Sequence, residues 1–242
     1  MLFKSQVYTQ ASGSIGGLTY SHNASGMYTR ARSIPVNPST GFQQTVRSGL
    51  ADLVTRWTSV LTAAQRAAWN LYAASVPVTN ALGDQVYRSG QNWYIACNSV
   101  RYQLSQKLYA GLGGWEVDDA PTTFDRGDFT TTVATLSEAS GLSLAYTNGD
   151  DWASEVGSYL LVFQGKPTNP SRNFFKGPWR LIGTVPGAAT PPTSPLTVSA
   201  ANLASLGFVI TEGQNVSIAT AVTRIDGRLT TRRVQGPIAV AA

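Results

Sequence analysis

Apolar side chains in the middle of the chain recur at intervals of three and four, the spacing that places them along one face of a helix. Thr40 with Gln43 and Thr62 with Gln65 have the spacing of capping boxes, and Ser89 is a further N-cap candidate. We therefore expect three helices, with the apolar stripes Phe42, Val46, Leu50, Leu53, Trp57 and Val60; Ala68, Trp69, Tyr72 and Val76; and Trp93, Cys97, Val100, Leu104 and Leu108.

The links between these stripes are short, which favours antiparallel packing of neighbouring helices. We expect a small three-helix bundle over residues 40–117, with a core closed by Trp57, Trp69 and Trp93.

Beyond residue 117 the pattern changes to short β-favouring runs separated by Gly, Pro, Asn and Asp. Asp226-Gly227 predicts a tight hairpin turn between the last two runs. Seven or eight strands in this length indicate an immunoglobulin- or fibronectin-III-like β-sandwich over residues 118–242, without the disulfide of an antibody domain. The predicted strands are Phe129–Leu136, Leu142–Thr147, Tyr159–Gln164, Trp179–Val185, Leu196–Ala200, Phe208–Thr211, Val216–Thr223 and Leu229–Val240.

Residues 1–39 alternate weakly between apolar and polar, with glycines at the turns, and predict an extended basic β arm. Its few apolar anchors, which include Met27 and Ile34, cannot form a core, so we expect the arm to be ordered by another surface. The whole chain is therefore predicted to be α+β: arm, helical bundle and sandwich. The residues that we expect to bind a partner are Tyr20, Tyr28, Arg30 and Arg32.

Charged residues are 13% of the chain, against about 25% in an average globular protein. Residues 1–117 carry nine basic and three acidic side chains (9 − 3 = +6), whereas residues 118–242 carry nine and ten (9 − 10 = −1). A basic half suits an acidic protein surface or nucleic acid. The basic residues are dispersed rather than clustered, so direct nucleic-acid binding is not favoured.

The candidate chemistry is sparse. Cys97, the single cysteine, falls on an apolar helix face and is predicted to be a small buried hydrophobe. His22 is the only histidine, and the sequence offers neither the further ligands that a zinc site needs nor evident partner residues for a catalytic triad. Neighbouring carboxylates lie in predicted turns, where Asp is common because its side chain hydrogen-bonds to the nearby backbone. They are Asp118/Asp119, Asp125/Asp128 and Asp150/Asp151. We expect no enzyme activity, cofactor or metal.

Several segments resemble a group of uncharacterised virion structural proteins of tailed bacteriophages and prophages. They are residues 13–23 (GSIGGLTYSHN), 28–40 (YTRARSIPVNPST), 61–69 (LTAAQRAAW), 89–92 (SGQN) and 224–229 (RIDGRL). The resemblance implies a structural protein of the virion, made in the host cytoplasm, and transfers no catalytic residue. It does not separate head, neck and tail.

The favoured expectation is a capsid decoration or cement protein, homo-oligomeric, held by its arm on the major capsid protein and independent of membranes. A tail or neck component is the nearest alternative. The other alternative is a sandwich that binds host-surface carbohydrate through exposed aromatic side chains, namely Trp152, Phe174, Phe175 and Trp179. We favour core or loop-anchor positions for these four residues.

Overall fold

The fold combines helices with antiparallel sheets, so the predicted α+β class is confirmed. It separates into two compact units, Met1–Gln44 and Thr45–Ala242. The computed structural model describes residues 11–23, 26–34, 36–37, 39–79, 84–107, 115–172, 175 and 177–242. The predictions for residues 1–10, Leu108 and Phe174, and for the side chains of His22 and Phe42, lie outside this description.

The first unit is built on a three-stranded antiparallel sheet of order β1-β2-β3, with β1 at Gly13–Ile15, β2 at Leu18–Asn23 and β3 at Gly26–Ala31. The β2–β3 register is unbroken from Leu18 opposite Ala31 to Asn23 opposite Gly26. Gly16 adopts φ +58° in the turn between β1 and β2, a conformation that glycine enters without strain. Between residues 11 and 40, no residue whose side chain is described is buried.

Three helices follow, and the boundary between the two units falls inside the first: α1 spans Gly41–Thr55, α2 Ala63–Ser75 and α3 Gly90–Lys107. A π-helical turn, Arg56–Val60, extends α1, and β4 (Val78–Thr79) pairs with β5 (Gln85–Val86) between α2 and α3. The predicted capping box of α2 is confirmed. The Gln65 amide N–H donates to the Thr62 hydroxyl at 3.2 Å, and the Gln65 side-chain oxygen accepts from the Thr62 amide at 2.9 Å.

The helices share an aromatic core, and Trp69 and Trp93 are buried in it as predicted, while Trp57 is half-buried. The apolar stripe of α1 behaves differently, because Val46, Leu50 and Val60 are exposed. Gly49 explains this, since a Cβ there would collide with the Tyr102 ring of α3. Helix α1 therefore approaches α3 along the face of Gly49, offset from the stripe. The buried members of this core are Leu53, Leu61, Trp69, Tyr72, Ala73, Val76, Trp93, Tyr94 and Cys97.

The remaining strands form two antiparallel sheets of order β10-β7-β6 and β12-β11-β8-β9. Buried residues of both sheets belong to one hydrophobic core, which includes Leu144, Leu160 and Ile218. The strands are β6 Thr131–Ser137, β7 Gly141–Tyr146, β8 Tyr159–Gly165, β9 Trp179–Pro186, β10 Leu196–Val198, β11 Asn215–Thr223 and β12 Arg233–Ala239. The hairpin turn at Asp226-Gly227 joins β11 to β12, with Gly227 at φ +85°.

One predicted strand, Phe208–Thr211, is wrong, and a short helix α4 (Ala200–Leu206) lies just before it. The Gln164 side chain takes the place of a partner strand: its amide oxygen accepts from the Phe208 N–H at 2.8 Å, and its amide nitrogen donates to the Phe208 carbonyl at 2.9 Å. The backbone N–H and carbonyl of Phe208 are thereby satisfied without a ladder.

A third cluster joins the helices to the strands. Val100 and Leu104 of α3 pack against Leu161, Phe163 and other residues on the second face of the four-stranded sheet. This sheet is therefore covered on both faces, which accounts for the uninterrupted apolar run of β8.

Candidate interaction surface on the amino-terminal sheet

The register of the first sheet sorts its side chains onto two faces, because successive residues of a strand point to opposite sides. Ile15 lies opposite Leu18, and Tyr20 lies opposite Thr29. Alternation places Met27 on the same side as Thr29. We call Ile15, Leu18, Tyr20 and Met27 the apolar face.

The other side is the polar face, where Thr19 lies opposite Arg30 and Ser21 opposite Tyr28. A 2.9 Å hydrogen bond between the hydroxyls of Ser14 and Thr19 crosses from β1 to β2 on this face. Among the described side chains, the polar face carries hydroxyls, the phenol of Tyr28 and the guanidinium of Arg30.

The four residues predicted to bind a partner are thus not brought together. Tyr20 lies on the apolar face, whereas Tyr28 and Arg30 lie on the polar face. Arg32 lies one residue beyond β3, where its backbone amide donates to the Gly17 carbonyl at 2.8 Å. Their role in partner binding stays a prediction.

Both faces present exposed side chains, and Arg30 adds a positive charge to the polar face. Ile15 is 78% exposed and Leu18 is 45% exposed, although both are strongly apolar. Arg30 and Arg32 are exposed as well. Residues 1–44 contain Lys4, Arg30 and Arg32 and no Asp or Glu, a net charge of +3.

Sequence reasoning singled out Met27 but missed Ile15 and Leu18. The signal was present in Gly16-Gly17, because a two-residue turn places its flanking residues directly opposite each other. Ile15 and Leu18 are those flanking residues.

Cys97 is fully buried between the helices, as predicted. Burial raises the pKa of its thiol to about 12. The thiol is therefore protonated at neutral pH, and reactivity requires the thiolate.

The paired carboxylates serve structural contacts. Asp125 accepts from the Gly127 amide in a local turn, as predicted. Asp118 differs: its carboxylate accepts from Arg56 at 2.7 Å and from the Tyr94 hydroxyl at 3.0 Å, and its carbonyl accepts from the Trp69 indole at 2.9 Å. Asp118 thus connects all three helices.

Within the described part of the chain, no group of three or more His, Cys, Asp or Glu side chains is placed to hold a metal ion. Nor does any helix there have both the length and the apolar character needed to cross a membrane.

The carbohydrate alternative needs an exposed Trp152, and this is wrong, because only 1% of it is accessible; the favoured core position is confirmed. It lies in a 3₁₀ turn, Asp151–Ser154, and its ring packs against Tyr146 at 5.7 Å between centroids. Phe175 and Trp179 form a half-buried edge-to-face pair at 4.9 Å.

Comparison with known proteins found no family model, no curated protein and no solved structure that matches the chain.

Proposed function

We propose that this chain is a non-enzymatic structural component of a tailed-phage particle, and we favour a capsid decoration or cement protein. The observation that carries the proposal is the amino-terminal sheet, which has an apolar face and no buried residue among those whose side chains are described. A sheet whose apolar side chains stay in contact with water gains little from the hydrophobic effect, so a surface that covers this face would stabilise it. The resemblance of residues 13–23 and 28–40 to phage structural proteins supports the same proposal.

We propose a fibronectin-III-like sandwich for the strand region. If β6 to β12 are lettered A, B, C, C′, E, F and G in chain order, the two sheets read E-B-A and G-F-C-C′. This is the strand arrangement of fibronectin type III domains. The proposed three-helix bundle is supported by the core that residues of α1, α2 and α3 share.

The proposed partners are other virion proteins, with the major capsid protein favoured, and further copies of this chain repeated over the particle. The dispersed basic residues favour an acidic protein surface over nucleic acid. A tail or neck position is the alternative.

The test is the location of the chain in purified particles. Heads and tails of the encoding phage are separated on a density gradient and probed with antiserum against this chain. Detection in heads, with removal by trypsin from intact heads, is expected for an exterior decoration protein. Detection in tails alone would favour the alternative, and absence from both fractions would overturn the proposal.

A further inference from the structure

We propose that the apolar face of the amino-terminal sheet, rather than the Arg30 side, is the docking surface, and that its occupant is an apolar patch bordered by carboxylates on a different protein of the particle. This inference rests on the proposed function and names the contact that it would use.

The hydrophobic effect favours the apolar face as the docking surface. Ile15 and Leu18 expose aliphatic surface across two paired strands, and Met27 adds to the same side. Removing such surface from water is the dominant favourable term in most protein association. An exposed arginine contributes little through a single surface ion pair. The apolar face therefore determines the strength of docking.

The charge of the arm disfavours another copy of it as the occupant, and the area of the face limits the strength of any single contact. Six residues at about 3.3 Å each and three strands about 4.8 Å apart give a face of about 300 Å². A stable pairwise interface needs about 800 Å² from each partner, so one such face gives only a weak contact with any occupant. Two arms would also bring together charges of +3 and +3, with no carboxylate in residues 1–44 to compensate.

The positive charge of the arm indicates an occupant with negative charge. Arg30 lies on the side away from the apolar face, so its guanidinium does not enter the same contact. Its field, together with those of Lys4 and Arg32, still attracts an acidic surface at long range. We infer that carboxylates around the apolar patch guide the arm, and that the aliphatic side chains then hold it. Because the face is small, stable binding requires several arms that are linked to one another, as in the proposed homo-oligomer, on repeated sites of the particle.

The test compares full-length variants with wild type in cosedimentation with heads of a phage lacking the gene for this chain. The double substitution Ile15→Ser with Leu18→Ser is expected to weaken binding at least about a hundredfold. The matched control on the polar face, Ser14→Ala with Ser21→Ala, is expected to remain within about twofold of wild type. Arg30→Gln is expected to weaken binding a few-fold, with an effect that disappears at high salt.

The outcomes separate the two proposals. If wild type binds heads and the Ile15→Ser, Leu18→Ser variant binds equally well, the docking inference is overturned and the structural role stands. If wild type binds neither heads nor tails, the proposed function fails and the docking inference fails with it. A dimer of the isolated chain that this double variant abolishes would overturn the choice of a different protein as the occupant.

Discussion

The two units of the chain place their apolar residues differently. The second unit, Thr45–Ala242, encloses three clusters of buried side chains and covers both faces of its four-stranded sheet. In the first unit, Ile15 and Leu18 remain exposed although the β2–β3 register is regular over six pairs. Regular hydrogen bonding is thus not evidence of an independent core. The second unit encloses the buried cores that stabilise it, whereas the first unit buries none of its described side chains.

The largest expected effect is Trp69→Ala in the second unit. Trp69 is fully buried, lies edge-on to Tyr72 and Tyr94, and donates its indole N–H to the Asp118 carbonyl. We expect a loss of about 3–5 kcal/mol in the free energy of unfolding, measured by urea denaturation. Val46→Ala, at a position 56% exposed, is the matched control and should change it by less than about 0.5 kcal/mol. Equal effects of the two substitutions would contradict the buried core.

A smaller loss is expected from Arg101→Met, which tests the connection between helices and strands. Arg101 is buried on α3, and its guanidinium donates to the carbonyls of Trp115 at 2.6 Å, Arg224 at 3.2 Å and Gly157 at 3.4 Å. Methionine keeps the bulk and leaves these carbonyls without their donor, at a cost of about 2 kcal/mol. Urea denaturation followed by both far-ultraviolet circular dichroism and tryptophan fluorescence measures the loss.

Arg101→Lys is the control for that substitution. It retains the charge with fewer donors, so its stability should lie between those of wild type and Arg101→Met. Wild-type stability in Arg101→Met would show that the three carbonyl contacts do not join these regions.

The next effect is a pH dependence. Burial raises the pKa of Cys97 to about 12, above the value of about 8.5 for a free thiol. Above pH 8.5 the unfolded chain therefore loses this proton before the folded chain does. The contribution of the protonated thiol to the free energy of unfolding is complete below pH 8.5, and it declines as the pH rises toward the folded pKa. The slope is at most about 1.4 kcal/mol per pH unit.

Urea denaturation between about pH 8 and 10 checks this sign, with Cys97→Ala as the reference that lacks the thiol. Wild type should lose stability more steeply than the variant over this interval. Parallel curves would contradict a buried, protonated thiol. Substitution of Ile15 in the first unit should leave the wild-type slope unchanged.

Local signals in the sequence predicted much of the second unit. Thr62 and Gln65 form the expected capping box, and alternation located most of the strands, because both depend on residues close in sequence. The contacts of Asp118 were not predictable in this way, since its partner Arg56 is 62 residues distant. The covering of β8 by α3 and the burial of Trp152 likewise depend on tertiary packing.

The candidate surface was predicted only as a segment. Sequence reasoning placed the partner-binding residues in the arm, but the faces follow from the strand register, which weak alternation with several glycines specifies poorly. Gly16-Gly17 determines it in the structure by pairing Ile15 with Leu18.

The smallest expected effect tests most directly whether the two units differ in the burial of their apolar side chains. Because Ile15 and Leu18 are exposed, Ile15→Ser with Leu18→Ser should change the free energy of unfolding of the isolated chain by less than about 0.5 kcal/mol. A comparable pair of substitutions in the second unit, Leu160→Ser with Leu161→Ser at fully buried positions, should prevent stable folding. Thermal denaturation of both double variants measures the contrast. A loss above about 1 kcal/mol in the arm variant would show that its aliphatic side chains are already buried in solution, and that they are not available to a partner.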